Sequence, residues 1–455
     1  MKTTIAALVG MALVAGSVGC TKDSSKGPAW TRWGITKPTT EDGAEAGLAD
    51  AYRLFYAPKP DSARQAYGNL VGRFPQSAEA HLGLSMTYRY AGMRDSALAE
   101  ARAAFKLDSA AVGVLLDYAD LIVPIRNGPI SGMTDSARYA ESDRCNLKAA
   151  ASTHPLNAHA NIQLLASYMA RARLSDARHQ AFELSRKHYY PQPLLDFAHN
   201  LLVGLEPNAI LFTNGDNDTY PLWAVQQAEH PFRPDVTVAN MTLLNIRPVV
   251  KMMRDSLGLP VSLSDSEIDA LAPKAETAGQ SMSPPASPGQ QVVENVIANA
   301  AKAHRPVYLA VTVGPAAIPF ANRLVLEGLV NRVAEGERAS PMDYDRIAEN
   351  MTKKYRLGWP KTPPPWPANM SPLARMIEPL AQNYGFLYVE LAVYYDMQGS
   401  KAKTDDAVSN AVTWMLRFGS TAPGTEYVDA WLARDSGNAV AKKLKAELEK
   451  TATAH

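Results

Sequence analysis

The residues best placed for chemistry are two carboxylates beside a glycine, in Asn214-Gly215-Asp216-Asn217-Asp218-Thr219. Asp216 and Asp218 could hold a divalent cation such as Ca²⁺ or Mg²⁺, which prefer oxygen ligands. They could equally accept hydrogen bonds from sugar hydroxyls, with Tyr220 or Trp223 as a stacking face. The third reading is turn chemistry alone. Gly215 would supply a positive φ, Asp216 an Asx-turn, and Asp218 or Thr219 the cap of a following helix. The later acids and glycine of a calcium EF-hand loop are missing. Acid/base work on a glycan usually needs a second carboxylate across the substrate, and the sequence names none. No resident cofactor is expected beyond such a cation.

Three short apolar runs must position this loop. Ala209–Thr213 reads as a strand buried on both faces, ending at the acidic loop. Val236–Asn240 and Pro306–Val313 read as two more. Helices are expected over Pro221–Gln227, Pro248–Ser256 and Val292–Ala303, with proline in the first turn of the first two. Strands alternating with helices predict a small parallel sheet. Ligands of such sheets sit beyond the carboxyl ends of the strands. Asn214 to Thr219, Asn240, Asn245, Thr312 and Gly314 all fall there. Residues 272–290, rich in Pro, Ser and Gly, read as a loop.

The motifs NGDNDTYPLW, RPDVTVANMTLLN, RPVYLAVTV, LEGLVNRV and KYRLGW follow one another in that order. Over roughly residues 205–420 this resembles the soluble C-terminal region of bacterial membrane proteins of the putative protein O-mannosyltransferase-like, GT-C type. The resemblance implies a periplasmic α/β domain followed by helical hairpins. Those enzymes carry a multi-span membrane half where their chemistry is expected, and here a helical segment stands in its place. The acidic loop therefore carries over as a ligand-facing element, and catalysis does not.

That helical segment, residues 44–203, has an internal repeat. DSARQAYGNLVGRFP begins at Asp61 and DSALAEARAAFKLDS at Asp95, a spacing of 34 residues, which is the tetratricopeptide period. Ala63, Tyr67, Leu70 and Pro75, then Ala97, Ala101 and Ala104, recur where such a repeat places its small, aromatic and apolar positions. Leu84, Tyr88 and Gly92 match a first helix and turn, and LSDARHQAFEL at Leu174 echoes the pattern. Small residues let antiparallel helices approach, and neighbouring hairpins bury each other's apolar faces. The segment resembles three to four tetratricopeptide-like hairpins, with 110–150 less regular; a generic helical bundle is the alternative. Such repeats imply a protein partner in a groove.

The N-terminus has one lysine, an apolar run Ile5–Ala15 and small residues up to Cys20. This is a secretory signal, too short for a membrane-spanning helix of about 20 residues. Val18-Gly19-Cys20 resembles a bacterial lipobox, although Ser17 sits where Leu is usual. An ordinary signal peptide with an incidental cysteine is the other reading. Acylation of Cys20 would anchor the chain in the envelope, and Thr21 in place of Asp points to the outer membrane, facing the periplasm. Residues 20–43 then read as a linker. Cys145 would remain the lone thiol, a small core residue.

The chain of 455 residues carries 46 Lys and Arg against 45 Asp and Glu. That balance argues against a nucleic-acid partner. P-loop, nucleophile-elbow, His-Glu-x-x-His and Cys-x-x-Cys-His motifs are all missing. His188, before Tyr189 and Tyr190, reads as structural. Residues 341–455 return to helices over Met342–Tyr355, Met376–Met397, Asp405–Phe418 and Ala439–Thr451, broken by the proline-rich stretch 359–367. The fold expected is mostly α, with an embedded small parallel-sheet unit at 204–340 flanked by tetratricopeptide-like hairpins. The function expected is a non-catalytic, lipid-anchored adaptor that scaffolds a protein partner and contacts a glycan or glycosylated acceptor. The alternative is an envelope glycan-processing enzyme using Asp216 or Asp218.

Overall fold

A computed structural model describes residues 33–452, apart from 57–58, 126, 155, 188, 274–285, 315–320, 339, 359–370 and 417–421. The signal peptide, Cys20, His188 and the proline-rich stretch 359–367 lie outside the described residues. The rest falls into two compact units, a hairpin unit ending at Tyr189 and a sheet unit running from Tyr190 onward.

The hairpin unit consists of α1 (Ala44–Tyr56), α2 (Pro60–Arg73), α3 (Ala78–Tyr90), α4 (Arg94–Leu107), α5 (Val112–Ile122), α6 (Asp135–Ala150), α7 (Asn157–Ala170) and α8 (Leu174–Arg186). Each helix packs on the next in sequence. The repeated small residues do what their spacing requires. Ala63, Tyr67 and Leu70 are buried on one face of α2, and Ala97, Ala101 and Ala104 on one face of α4. Tyr67 fills the space left by Gly83 on α3, where a Cβ would stand 2.1 Å from the tyrosine ring. Ser77 caps α3 by accepting from the Ala80 N–H at 3.3 Å, and Gly92 turns the chain into α4 at φ +72°.

The irregular stretch 110–150 is itself helical, as α5 and α6, so the helix pairs continue without interruption. Its sequence hid this because α5 is apolar around nearly its whole circumference and shows no stripe. The connection from α5 to α6 is held by Arg138, whose side chain is 1% exposed. Its guanidinium donates to the carbonyls of Ile122 (2.8 Å) and Asn127 (2.9 Å) and to the Asp135 carboxylate (2.8 Å). Cys145 on α6 is buried, and burial pushes its thiol up to about 12.

The sheet unit opens with α9 (Gln192–Val203), which packs on α10 (Tyr220–Gln226). Its strands are β1 (Ile210–Thr213), β2 (Thr237–Asn240), β3 (Val307–Ala310), β4 (Leu324–Leu326) and β5 (Val330–Val333), in spatial order β2-β1-β3-β5-β4. β1 is parallel to both neighbours, with Ile210 opposite Thr237 and Val307, as expected of these three strands. The sheet as a whole is mixed, which corrects the parallel expectation. β5 runs antiparallel to β3, and β4 to β5. The LEGLVNRV motif is this β4–β5 hairpin, with strands of three and four residues that leave little alternation to read. Its turn holds Gly328 at φ +114°.

Between the strands lie a 3₁₀ turn (Leu243–Asn245), α11 (Arg247–Leu257), α12 (Asp265–Asp269) and α13 (Pro288–Ala300). After the sheet come α14 (Tyr344–Glu349), a π-turn (Asn350–Lys354), α15 (Ser371–Met397), α16 (Lys401–Leu416), α17 (Ala422–Arg434) and α18 (Ala439–Ala452). Sequence reading did not anticipate α17. No helix among the described residues is long and apolar enough to cross a membrane.

Candidate functional site

The parallel strands bring the predicted site residues to one sheet edge. β1 runs into the acidic loop, β2 ends at Asn240, and Thr312 follows β3. At the centre is Asp218, 5% exposed. One carboxylate oxygen accepts the Gly215 N–H at 2.8 Å. The other accepts the Asn214 N–H at 2.9 Å and the Thr312 hydroxyl. Burial pushes this carboxyl up, against the pull of those donors. Asp218 thus ties the start of its own loop to the segment that follows the neighbouring strand β3.

Thr219, fully buried, is a second knot. Its hydroxyl donates to the Gly215 carbonyl and receives the Asn240 side-chain amide at 2.9 Å. The Thr213 hydroxyl lies 2.6 Å away and can only donate to it, since the Thr219 proton is already committed. Asn240 also donates to the Gly215 carbonyl at 2.8 Å and accepts the Leu243 N–H at 3.0 Å. The Thr242 hydroxyl closes the loop onto the Asn214 carbonyl at 3.1 Å. Asn245 turns away toward α13. It accepts the Gly289 N–H at 2.9 Å, one of the donors a helix's first turn leaves unpaired.

The geometry differs from the turn expected of this sequence. Gly215 does not adopt positive φ. Thr219 stands at the cap position of α10 without a side-chain cap bond, and Asp218 bonds backward into the loop instead. The reason is burial. A buried carboxylate needs more donors than a helix N-terminus at the surface would give it, and the loop supplies them.

Asp216 is different: its side chain is exposed, as is Asn214. Tyr220 is 7% exposed and stacks on half-buried Trp223, with centroids 5.4 Å apart and an interplanar angle of 24°. Beside them the Tyr190 hydroxyl is buried with no hydrogen-bond partner among the described residues. Sequence reading had no signal for Tyr190, which lies in a different motif. Among the described residues no group of three or more His, Cys, Asp and Glu side chains could hold a metal ion. What the buried part of the arrangement does chemically is fix backbone: Asp218, Thr219 and Asn240 are bonded to the loop's own main chain and to neighbouring hydroxyls.

The other motifs behave alike. Arg233 donates to the carbonyls of Leu202 (2.9 Å), Leu205 (2.8 Å) and Glu206 (2.8 Å), which end α9. Asp235 pairs with that guanidinium at 2.8 Å and accepts the Asn208 N–H at 3.1 Å. The pair holds the Asp235 carboxyl down at about 2. Tyr355, from KYRLGW, accepts the Leu329 N–H at 2.9 Å in the β4–β5 turn. Asn200 donates to the Arg356 carbonyl at 3.1 Å and accepts its N–H at 2.7 Å.

The hairpin unit has a site of another kind, an open groove of about 660 Å³ lined by Tyr139, Asp143, Arg144, Leu147, Arg171 and Arg173. Arg171 pairs with Asp143 at 2.6 Å and lies 4.7 Å over the Tyr139 ring. Leu147 is 52% exposed at its edge.

With these two sites described, the chain can be set against known proteins. Residues 194–273 match the family described as TMEM260-associated domain 2. The match takes in most of α9, β1, the acidic loop, β2, α11 and α12. Among solved structures, the type IV pilus biogenesis factor PilW is similar at 16% identity and a TM-score of 0.31, over 48% of this chain and 89% of PilW. A structure of Naa15/Naa10 bound to HypK-THB is similar at 15% identity and a TM-score of 0.24, over 90% of this chain and 56% of that one. No curated protein matches the chain.

Proposed function

We propose that this chain is a non-catalytic adaptor of the bacterial envelope. The hairpin unit holds a protein partner in the groove between Tyr139 and Arg173. A lipid on Cys20 tethers the chain to the outer membrane on its periplasmic side. The sheet unit is an accessory module, of the kind found beside GT-C type glycosyltransferases, that meets a glycan or a glycosylated acceptor through the exposed residues of the acidic loop, Asn214 and Asp216, and through Trp223.

One observation carries the non-catalytic reading. Asp218, the carboxylate best placed at the strand ends, has both oxygens bonded by donors of its own chain. It is 5% exposed and already accepts three hydrogen bonds, so a substrate that engages both oxygens must displace donors of the chain, and an unpaired buried donor costs about 1–3 kcal/mol.

The test is affinity capture from native membranes with the full chain and with Leu147→Asp, which alters an exposed groove residue. The adaptor reading expects a partner that is recovered with the wild type, lost with Leu147→Asp and kept with Asp216→Asn. Labelled palmitate should enter the wild type and not Cys20→Ser. Turnover of a sugar donor by the purified chain, abolished in Asp216→Asn, would overturn the reading.

A further inference from the structure

The groove of the hairpin unit holds arginines that its local backbone does not require. Arg171 and Arg173 flank Ala172 in the turn from α7 to α8, which repeats the turn from α3 to α4. In the earlier turn the N–H groups of Ala91, Gly92 and Met93 donate to the carbonyls of Thr87, Arg89 and Tyr88. In the later one those of Arg171, Ala172 and Arg173 donate to Ser167, Met169 and Tyr168. The backbone is the same, with Gly92 at φ +72° and Ala172 at φ +55°. It forms with Ala91 and Met93 in the places that the arginines take later. Charge follows the arginines. Residues 135–187 carry eight Lys and Arg against five Asp and Glu, whereas residues 44–122 carry eight against nine.

The guanidiniums are held in place but not used up. Arg171 lies 4.7 Å from the centre of the Tyr139 ring and 5.4 Å from that of Tyr168, and Arg173 lies 4.7 Å over Tyr168. Stacking on aromatic faces fixes the planar forks. Arg171 bonds Asp143 and Ser167 through Nη2 and Nε. Arg173 bonds Asp176 through Nε, and its Nη1 stands 3.9 Å from Asp143. Arg144, on the α6 side, gives Nε and Nη2 to Glu141. Among the described residues nothing accepts from Nη1 of Arg144 or Arg171, or from Nη2 of Arg173. All three arginines line the groove. The pairs of Arg144 with Glu141 and of Arg173 with Asp176 are open to solvent, and such pairs contribute little. An incoming carboxylate can therefore share these guanidiniums without breaking a costly bond. A fork with an unused edge matches a carboxylate.

We propose that the groove takes an acidic protein segment. One Asp or Glu carboxylate of the segment bonds Arg144, a second bonds the Arg171–Arg173 pair, and an apolar neighbour covers Leu147. This inference rests on the adaptor reading and names the chemistry of its partner.

The probe is a fluorescein-labelled peptide of alternating leucine and glutamate blocks, titrated onto the full chain by anisotropy, with its leucine/glutamine isostere alongside. The glutamate peptide should bind, more weakly as salt rises, and the glutamine version at least tenfold more weakly. Arg173→Gln and Arg144→Gln should each weaken the glutamate peptide about tenfold, the size expected for one charge-assisted contact. Arg178→Gln, at an exposed arginine of α8 outside the groove lining, should bind as the wild type does. Equal binding by wild type and Arg173→Gln, or an equal loss with Arg178→Gln, overturns the proposal. So does binding of phosphatidylglycerol vesicles that Arg173→Gln abolishes, because the groove would then read a lipid headgroup. No binding of the glutamate peptide also overturns it. If Leu147→Asp still loses a partner captured from native membranes, that failure belongs to the acidic segment alone and the groove stands as the attachment point.

Discussion

The two units meet the same packing demand with opposite sequence logic. In the hairpin unit, Gly83 makes room for Tyr67 on the preceding helix, and the small residues Ala97, Ala101 and Ala104 are buried along one face of α4. In the sheet unit, Gly328 makes room for Tyr355, whose hydroxyl would stand 2.3 Å from an added Cβ. That contact occurs once. It joins a β-turn to the residue after a π-turn, and it has no echo elsewhere in the sequence. A repeat spreads its structural information over several copies, whereas a unique contact invests it in one residue.

Gly328→Ala should therefore produce the largest loss. The alanine meets the Tyr355 hydroxyl and must also hold φ +114°, a conformation L side chains rarely adopt. Strain and overpacking together predict a cost of about 3 kcal/mol or more. Gly83→Ala should cost about 1–3 kcal/mol, since only the ring of Tyr67 has to yield. Urea unfolding measures both. Labelling of Cys145 in a Cys20→Ser background separates them, because that thiol is buried in the hairpin unit and held protonated at neutral pH. Faster labelling is expected from Gly83→Ala. A Gly328→Ala chain that labelled faster still would show that the two units do not open separately.

Asp218→Ala comes next. It leaves the N–H groups of Asn214 and Gly215 and the Thr312 hydroxyl without their acceptor. All three donors are only partly buried, so water can reach some of them and the loss is about 2–4 kcal/mol. A melting temperature unchanged from the wild type would mean that the loop re-forms without Asp218.

The difference between the units also decides what could be read beforehand. The helix pairs were legible at Tyr67, Leu70 and the alanines because their period repeats. They ceased to be legible at 110–150, where Val112–Ile122 is buried all round and Arg138 replaces small residues with one large buried ion. The parallel core of the sheet was legible from three apolar runs. Its antiparallel edge was not, because β4 and β5 are too short for alternation to show, and their pairing depends on Gly328 and Tyr355, far apart in sequence. At the acidic loop, sequence placed Asp218, Thr219, Asn240 and Thr312 at one end of the strands. Which of them was buried could not be read, since Asp216 and Asp218 are chemically identical and differ only in the side of the turn they occupy.

Asp235 tests the motif residues by pH. Its carboxyl is held at about 2 in the folded chain by Arg233 and the Asn208 N–H, below the ordinary value of about 3.9. A lowered folded value means that the folded state binds fewer protons than the unfolded one. The stabilisation is therefore fully present above about pH 4 and is lost as pH falls toward 2. Asp235→Asn should lower stability at neutral pH and flatten its decline over that window, as followed by urea unfolding at stepped pH. Partial exposure of the pair keeps the effect smaller than that of Asp218→Ala.

The smallest effect is expected at Asp216, and it bears hardest on function. Asp216 shares the loop, the charge and the sequence motif of Asp218, yet its side chain faces water. Asp216→Ala should change stability by no more than about 0.5 kcal/mol, as surface substitutions do. A residue that costs nothing to remove does not hold the fold. If Asp216→Ala leaves unfolding untouched yet weakens attachment of a glycan or glycosylated acceptor, Asp216 contacts the ligand and Asp218 only frames the loop. If Asp216→Ala destabilises the chain as Asp218→Ala does, the two carboxylates form one structural knot, and the sheet edge has no exposed acid to offer a ligand.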